Sequence, residues 1–275
     1  LNAALTSTGY ENLIVNSGSG SGVVSQTHAT ITVNADAATS DTSLTLKGNN
    51  PVDIGTAAVT NSTGTFTVDA SALKAQATNT TTFTLDSTTL GSGGTLTITG
   101  SDGEDLIGDA TAGVNTTAAT TVNGGGGVDA IYTGSGNDTI DGGSGKDTIN
   151  SGAGTDTVNG GADNDTIDFS GNFTILDSVD GGDGTDTLVL NNTDVTTVQA
   201  YSLGQINTLN GRISNIEKVD FNATLNGTID MGRLDSIANV VLDGLAGGSN
   251  VNGLAATHDV TITAALGQTL GLALA

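Results

Sequence analysis

The sequence predicts an all-β chain wound as a parallel β-helix or β-roll solenoid. Three observations carry that prediction. They are short segments of alternating apolar and polar residues, a composition of turn and strand formers, and a nine-residue repeat held in phase through the middle of the chain. Composition comes first because it limits what the other two can mean. Gly numbers 41 in 275 residues, and Thr, Asn, Ser and Ala are abundant. Gly and Asp favour turns and Thr and Val favour strands, so helices are expected as minor elements at most. The acidic residues are three Glu (Glu11, Glu104, Glu217) and 26 Asp, against six cations (Lys47, Lys74, Lys146, Lys218, Arg212, Arg233), for a net charge of −23. So few cations cannot neutralise a run of phosphates, which excludes nucleic-acid binding and binding to anionic membranes.

High charge with only eight Phe and Tyr could signal disorder. Against it, 36% of residues are hydrophobic and they alternate with polar ones, and Pro51 is the single proline. The length allows one elongated domain or two compact ones. Without cysteine there are no disulfides, so stability outside a cell must come from another cross-link. No apolar run approaches the ~18 residues of a spanning helix, so no membrane insertion is expected. No signal peptide is read, and a chain opening at Leu1 without an initiator Met reads as a piece of a longer protein.

Residues 1–99 are predicted as a strand-rich, solenoid-like segment. Leu13–Val15, Thr30–Val33, Ser43–Leu46, Thr65–Val68, Phe83–Leu85 and Thr95–Thr99 each carry one apolar and one polar face. Their spacing, roughly 13 to 22 residues, fits the coils of a solenoid and also a β-sandwich. The pattern resumes at Thr187–Leu190, Lys218–Phe221, Val240–Leu242 and Val260–Thr263, so 191–275 is predicted as a second segment of the same kind. Gly9–Asn16 and Asn215–Asn222 echo each other, both reading apolar, Glu, polar, then an alternating strand ending in Asn.

Between the flanks, residues 100–190 carry the chemistry. Gly124 to Asp168 is five uninterrupted nonapeptides: GGGGVDAIY, TGSGNDTID, GGSGKDTIN, SGAGTDTVN and GGADNDTID. A degenerate copy, GSDGEDLIG, stands at 100–108 and a clean one, GGDGTDTLV, at 181–189. The template is G-G-x-G-x-D-x-U-x, with U a large aliphatic. Position six is Asp105, Asp129, Asp138, Asp147, Asp156, Asp165 and Asp186; position eight is Ile107, Ile131, Ile140, Ile149, Val158, Ile167 and Leu188. Six residues make a turn whose glycines can take positive φ and draw carbonyl oxygens together. The three residues x-U-x make a strand just long enough to point one aliphatic inward. Two nonads complete one flattened, right-handed coil, so turns n and n+2 stack about 4.8 Å apart. Asp129 then pairs with Asp147, and Asp147 with Asp165, on one edge; Asp138 pairs with Asp156 on the other. Carboxylates and converging carbonyls form an all-oxygen cage suited to Ca²⁺, which takes six to eight oxygens, rather than to Zn²⁺ or Mg²⁺. Five contiguous copies bracket three such sites, and the outlying copies add half-sites.

These nonads resemble the RTX family of calcium-binding β-roll repeats, found in bacterial proteins exported by type I secretion. The resemblance implies that position six supplies a carboxylate and positions one to four supply carbonyls. That assigns metal-ligating roles to Gly124, Gly125, Gly126 and Gly127, to Thr133, Gly134, Ser135 and Gly136, and to Gly142, Gly143, Ser144 and Gly145. It does the same for Ser151, Gly152, Ala153 and Gly154, and for Gly160, Gly161, Ala162 and Asp163. Asp163 departs from the template by replacing glycine at position four, and Thr133 and Ser151 depart at position one, where they fit if φ stays negative.

Other motifs fail. Gly145-Lys146 is not a phosphate loop, since Ile140 stands where that motif needs Gly and Asp147 where it needs Ser or Thr. There is no G-x-S-x-G elbow, no H-E-x-x-H and no cysteine nucleophile. His28 and His258 are isolated, each placed just before a strand, and the sequons at Asn61, Asn79 and Asn115 follow from composition. The clustered Asp sit at repeat positions, leaving no acid/base pair, so no catalytic residue is assigned.

A Thr/Ala/Gly/Asn-rich, cysteine-free chain with β-coils on both sides of such repeats is similar to the surface-layer proteins of Gram-negative bacteria. Segments like GTDTLVLNN (184–192) and ISNIEKVDF (213–221) accompany β-helical lattice domains there. The resemblance implies a secreted, calcium-dependent structural protein that self-associates in two dimensions at the cell surface, with surface polysaccharide as a further partner. An RTX adhesin or biofilm matrix protein, and the accessory domain of a secreted enzyme, are the other readings.

Overall fold

The computed structural model describes residues 5–8, 12–16, 26–28, 31–34, 41–49, 51–60, 64–74, 81–89, 94–110, 113–114, 117–221, 228–230, 239–242, 250–254, 259–262 and 271–274. Gly9 to Glu11, Thr30, Asn222, Thr263, His258 and the three sequon asparagines lie outside these residues. The chain divides into two units, Leu1–Asp156 and Thr157–Ala275.

In the first unit, strands fall alternately on two ladders as the chain advances. One ladder runs Leu5–Thr8, Ile31–Asn34, Val52–Thr60, Thr81–Thr89, Glu104–Ile107, Ala130–Tyr132, Thr148–Asn150. The other runs Asn12–Asn16, Thr42–Gly48, Thr65–Leu73, Thr95–Thr99, Thr120–Gly126, Thr139–Ser144. All these pairings are parallel, which removes the sandwich reading, since sandwiches pair their strands antiparallel. Gln26–His28 is a further strand on Val52–Thr60, so His28, expected just before a strand, ends one strand and stands shortly before the next, Ile31–Asn34.

The second unit repeats the scheme. One ladder runs Thr166–Asp168, Thr187–Leu190, Lys218–Phe221, Asn239–Leu242, Asp259–Ile262; another runs Thr157–Ala162, Ser178–Asp183, Ile213–Ser214. Thr228–Asp230, Asn250–Leu254 and Gly271–Leu274 form a third. The protein is a mostly-β, parallel β-roll with few helices.

Alternation explains the core. In Thr65–Leu73, Phe66, Val68, Ala70 and Leu73 point inward, and Leu44, Leu46, Phe83, Leu85, Leu96 and Ile98 do the same on neighbouring coils. All seven position-eight aliphatics are buried, at 1% exposure or less. A buried aliphatic of that size contributes about 1.5–3 kcal/mol. Each nonad supplies one, so the repeats bury much less apolar surface per residue than the Phe- and Leu-filled coils before them.

Two helices, absent from the strand pattern, interrupt the second unit: α1 (Asn192–Ala200) and α2 (Leu203–Asn210). Each begins at a capping box, Asn191 with Asp194 and Ser202 with Gln205. They bury Val198, Ile206 and Leu209. Among the described residues, no helix is long and apolar enough to cross a membrane.

Candidate metal centre

The position-eight anchor fixes where position six falls. Ile131 pairs with Ile149 and Val122 with Ile140, each 18 residues apart, so two nonads make one coil as predicted. Asp129 and Asp147 thus stack on one edge of the first unit, and Asp138 and Asp156 on the other. Asp105 joins the first column, and in the second unit Asp186 stacks on Asp165.

Stacking is through backbone rather than carboxylate to carboxylate. The N–H of Asp129 donates to Oδ1 of Asp147 at 2.8 Å, and that of Asp105 to Oδ1 of Asp129 at 2.8 Å. Asp138 donates likewise to Asp156 at 2.9 Å, and Asp165 to Asp186 at 2.8 Å. This corrects the expectation of facing carboxylate pairs. At Asp129, Asp138 and Asp186, Oδ1 ties two coils together and Oδ2 is left for a ligand. At Asp105, Oδ2 accepts from the N–H of Ser101 at 2.6 Å and Oδ1 from its hydroxyl at 2.8 Å. Consistently, no cluster of three or more His, Cys, Asp or Glu side chains able to hold a metal occurs among the described residues. Any cage must draw most of its oxygens from the backbone.

That second oxygen is buried. Oδ2 of Asp129, Asp138 and Asp186 has no hydrogen-bond partner, although these residues are 2% exposed or less. A buried carboxylate oxygen without a partner is costly, and native structures rarely keep one without a reason. Burial pushes Asp105 up to about 7 and Asp129 up to about 8, with the charges of Asp105 and Asp147 adding to the latter. Burial also raises Asp138 and Asp186 above the usual carboxylate range.

The glycines shape the space beside these oxygens. A Cβ on Gly124 would lie 2.5 Å from Oδ2 of Asp129 and would press on the carbonyl oxygen of Gly142, one coil on. A Cβ on Gly160 would meet Oδ2 of Asp165 and the carbonyl of Gly181, each at 2.5 Å. Position one is therefore a cradle where a carboxylate oxygen and the next coil's carbonyl converge. Positions two and four take positive φ, as at Gly143 (104°) and Gly145 (119°). Thr133 and Ser151 keep φ out of that region, as their place at position one requires. The Thr133 hydroxyl donates to the carbonyl of Ser151 at 2.8 Å, so on that edge a hydroxyl enters the space that glycine leaves elsewhere. Asp163 adopts glycine's conformation at position four (φ 78°) and its side chain is exposed.

On one face the strand outruns the expected three residues. Thr139–Ser144 and Thr157–Ala162 continue into the turn, with Gly125 opposite Gly143 and Gly161 opposite Gly182. Glycine backbones without Cβ atoms can stack this closely, so the ladder persists where side chains would end it.

Three residues in position-six places were not foreseen. Thr120 precedes Thr121-Val122-Asn123, is buried, and donates its N–H to Oδ1 of Asp138 at 2.8 Å. Asp177 precedes Ser178-Val179-Asp180, is 1% exposed, and accepts from the N–H of Thr174 at 2.7 Å. Glu217 accepts from the N–H of Asp186 at 2.8 Å, as Asp186 accepts from Asp165. Their signal was the x-U-x strand that follows each. A template demanding Asp after an intact glycine turn passed over it.

Comparison with known proteins agrees with the geometry. Residues 123–158 and 132–167 match the model of the RTX calcium-binding nonapeptide repeat family, which spans four copies. The middle of the chain is an array of RTX calcium-binding repeats, a structural rather than catalytic motif. No curated protein and no solved structure matches the chain.

Proposed function

We propose that the chain is a calcium-dependent structural building block of a bacterial surface layer, secreted unfolded and folded outside the cell. The observation that carries the calcium part is the buried, unpartnered Oδ2 of Asp129 and Asp186, each beside a glycine cradle where a carbonyl oxygen of the next coil converges. Position-six aspartates supply carboxylate oxygens and positions one to four supply carbonyls, a hard-oxygen donor set matched to Ca²⁺. The bound ion supplies positive charge that neutralises the buried carboxylates and joins adjacent coils. Extracellular calcium modules typically bind at roughly 10⁻⁴ to 10⁻³ M, far above cytosolic calcium, so the sites fill only after export. Each site then contributes about 1.4 kcal/mol at tenfold its dissociation constant.

Support for the lattice role comes from the coils on both sides of the repeats, which resemble those of surface-layer proteins, and from the absence of any catalytic constellation in the sequence. Electron microscopy of the purified chain tests it. Calcium is expected to produce ordered two-dimensional sheets that chelator disperses. Monomers at every calcium concentration would contradict the lattice and turn attention to the adhesin reading.

A further inference from the structure

The stacked column of the second unit does not stop where the nonapeptides stop. Asp186 is the last position-six aspartate of the motif, and it is fully buried with no hydrogen-bond partner for Oδ2. Its own N–H donates to Oε2 of Glu217 at 2.8 Å, the same contact that Asp165 makes to Asp186 one coil earlier. The cradle is repeated as well. A Cβ on Gly181 would lie 2.6 Å from Oδ2 of Asp186 and would press on the carbonyl oxygen of Asn215. Gly160 stands in the same relation to Asp165 and the carbonyl of Gly181. Asn215 thus occupies the place of a position-one glycine, and Glu217 that of a position-six aspartate.

We propose that Asn215 and Glu217 close one further calcium site against the turn Gly181–Asp186, outside the nonapeptide motif. The inference rests on the calcium reading of the repeats. Its ligands are Oδ2 of Asp186, the main-chain carbonyl of Asn215 and the carboxylate of Glu217, with water completing the shell. Asn215 has φ 50°, a conformation that Asn tolerates better than other side-chain-bearing residues, and its amide donates to Oδ1 of Asp180 at 2.7 Å. That bond holds the peptide with its carbonyl in the cradle. The three residues Asn215, Ile216 and Glu217 thereby replace a six-residue glycine turn, and Glu, longer by one methylene than Asp, spans the shortened loop. Asp186 and Glu217, 31 positions apart with both helices between them, are bridged at this point.

Glu217→Gln tests the site. The amide oxygen of Gln still accepts from Asp186, so the coil is kept while the charge is lost. Native mass spectrometry of the chelator-stripped full chain titrated with calcium is expected to show the variant holding one ion fewer than the wild type, or its last ion at least tenfold more weakly. Equal number and equal midpoint would overturn the inference while leaving the repeat sites intact. A wild type that takes up no calcium would overturn it together with the reading beneath it. Anomalous difference density from wild-type crystals grown in calcium gives a second measurement that needs no variant. A peak between Asp186 and Asn215 is expected; peaks along Asp129 and Asp147 with none there would overturn this site alone.

Discussion

A methyl group added at Gly145 would strike the carbonyl oxygen of Gly127, at a backbone φ of 119°, whereas one added at Gly204 would meet nothing within 4 Å. Gly145→Ala is therefore expected to destabilise the calcium-loaded protein by at least ~2 kcal/mol through backbone strain and collision. Gly204→Ala, on the exposed first turn of α2, is expected to stabilise it by about 0.5–1 kcal/mol. Urea melts of the two variants check both signs. Asp129→Asn probes the site itself. It keeps an oxygen to accept the N–H of Asp105 but removes a carboxylate that burial already holds up at about 8. Without calcium the variant is expected to be the more stable; with calcium it is expected to lose on the order of 1.4 kcal/mol for each site it no longer fills. A variant weakened equally in both conditions would show that Asp129 is only a structural tie. The position-six aspartates were legible in the sequence because phase alone locates them. Their hydrogen bonding was not, since which oxygen ties the coils depends on the offset between stacked backbones.

Elements built from this composition follow the alternation rule wherever one face is buried, and depart from it where local chemistry is stronger. The strands at Ser43, Thr65, Phe83, Thr95 and Thr187 could be placed because Leu, Phe, Ile and Val alternate with Thr there. The helices could not be placed from bulk composition, since Thr193, Thr196 and Thr197 are strand formers by propensity. What starts α1 is local: Asn191 accepts from Thr193 and Asp194 N–H, while Asp194 accepts from the N–H of Asn191 at 2.7 Å. Asn-x-x-Asp and Ser-x-x-Gln are legible capping boxes when sought. Asp194, 1% exposed, also accepts from Gly171 at 2.8 Å and Phe173 at 3.1 Å, and so pins the segment that lengthens this coil from 18 to 21 residues. Phe169 and Phe173 pack edge to face, 5.4 Å apart, within that segment. Asp194→Ala is expected to cost about 2–4 kcal/mol, since it leaves buried donors without partners. Hydrogen exchange is expected to show the amides of Gly171 and Phe173 losing protection first; unchanged protection would mean the loop is held by the Phe pair.

For the whole molecule, the charge of −23 is the property that calcium changes most. Parallel coils and the repeat array could be read from periodicity. Continuation of the same ladders into Thr81–Thr89 and Thr95–Thr99 could be read only as one of two options until pairing showed them parallel to the repeats. In the metal-free chain, Asp105 and Asp129 have folded-state values near 7 and 8, against about 4 when unfolded. Between those limits the folded state binds more protons than the unfolded one, so stability falls as pH rises. In chelator the protein is expected to be most stable near pH 4 and to lose that stability as pH passes 7 to 8. Calcium binding, which needs the ionised forms, is expected to weaken over the same interval on acidification and to release protons; urea midpoints against pH, with and without calcium, check both. The central claim is that calcium is the cross-link this cysteine-free coil requires. Circular dichroism of the stripped full chain at pH 7.5, followed as calcium is added, tests it most directly. The account predicts little β structure in chelator and a cooperative gain at roughly 10⁻⁴ to 10⁻³ M calcium. Full β structure in chelator, unchanged by calcium, would contradict it.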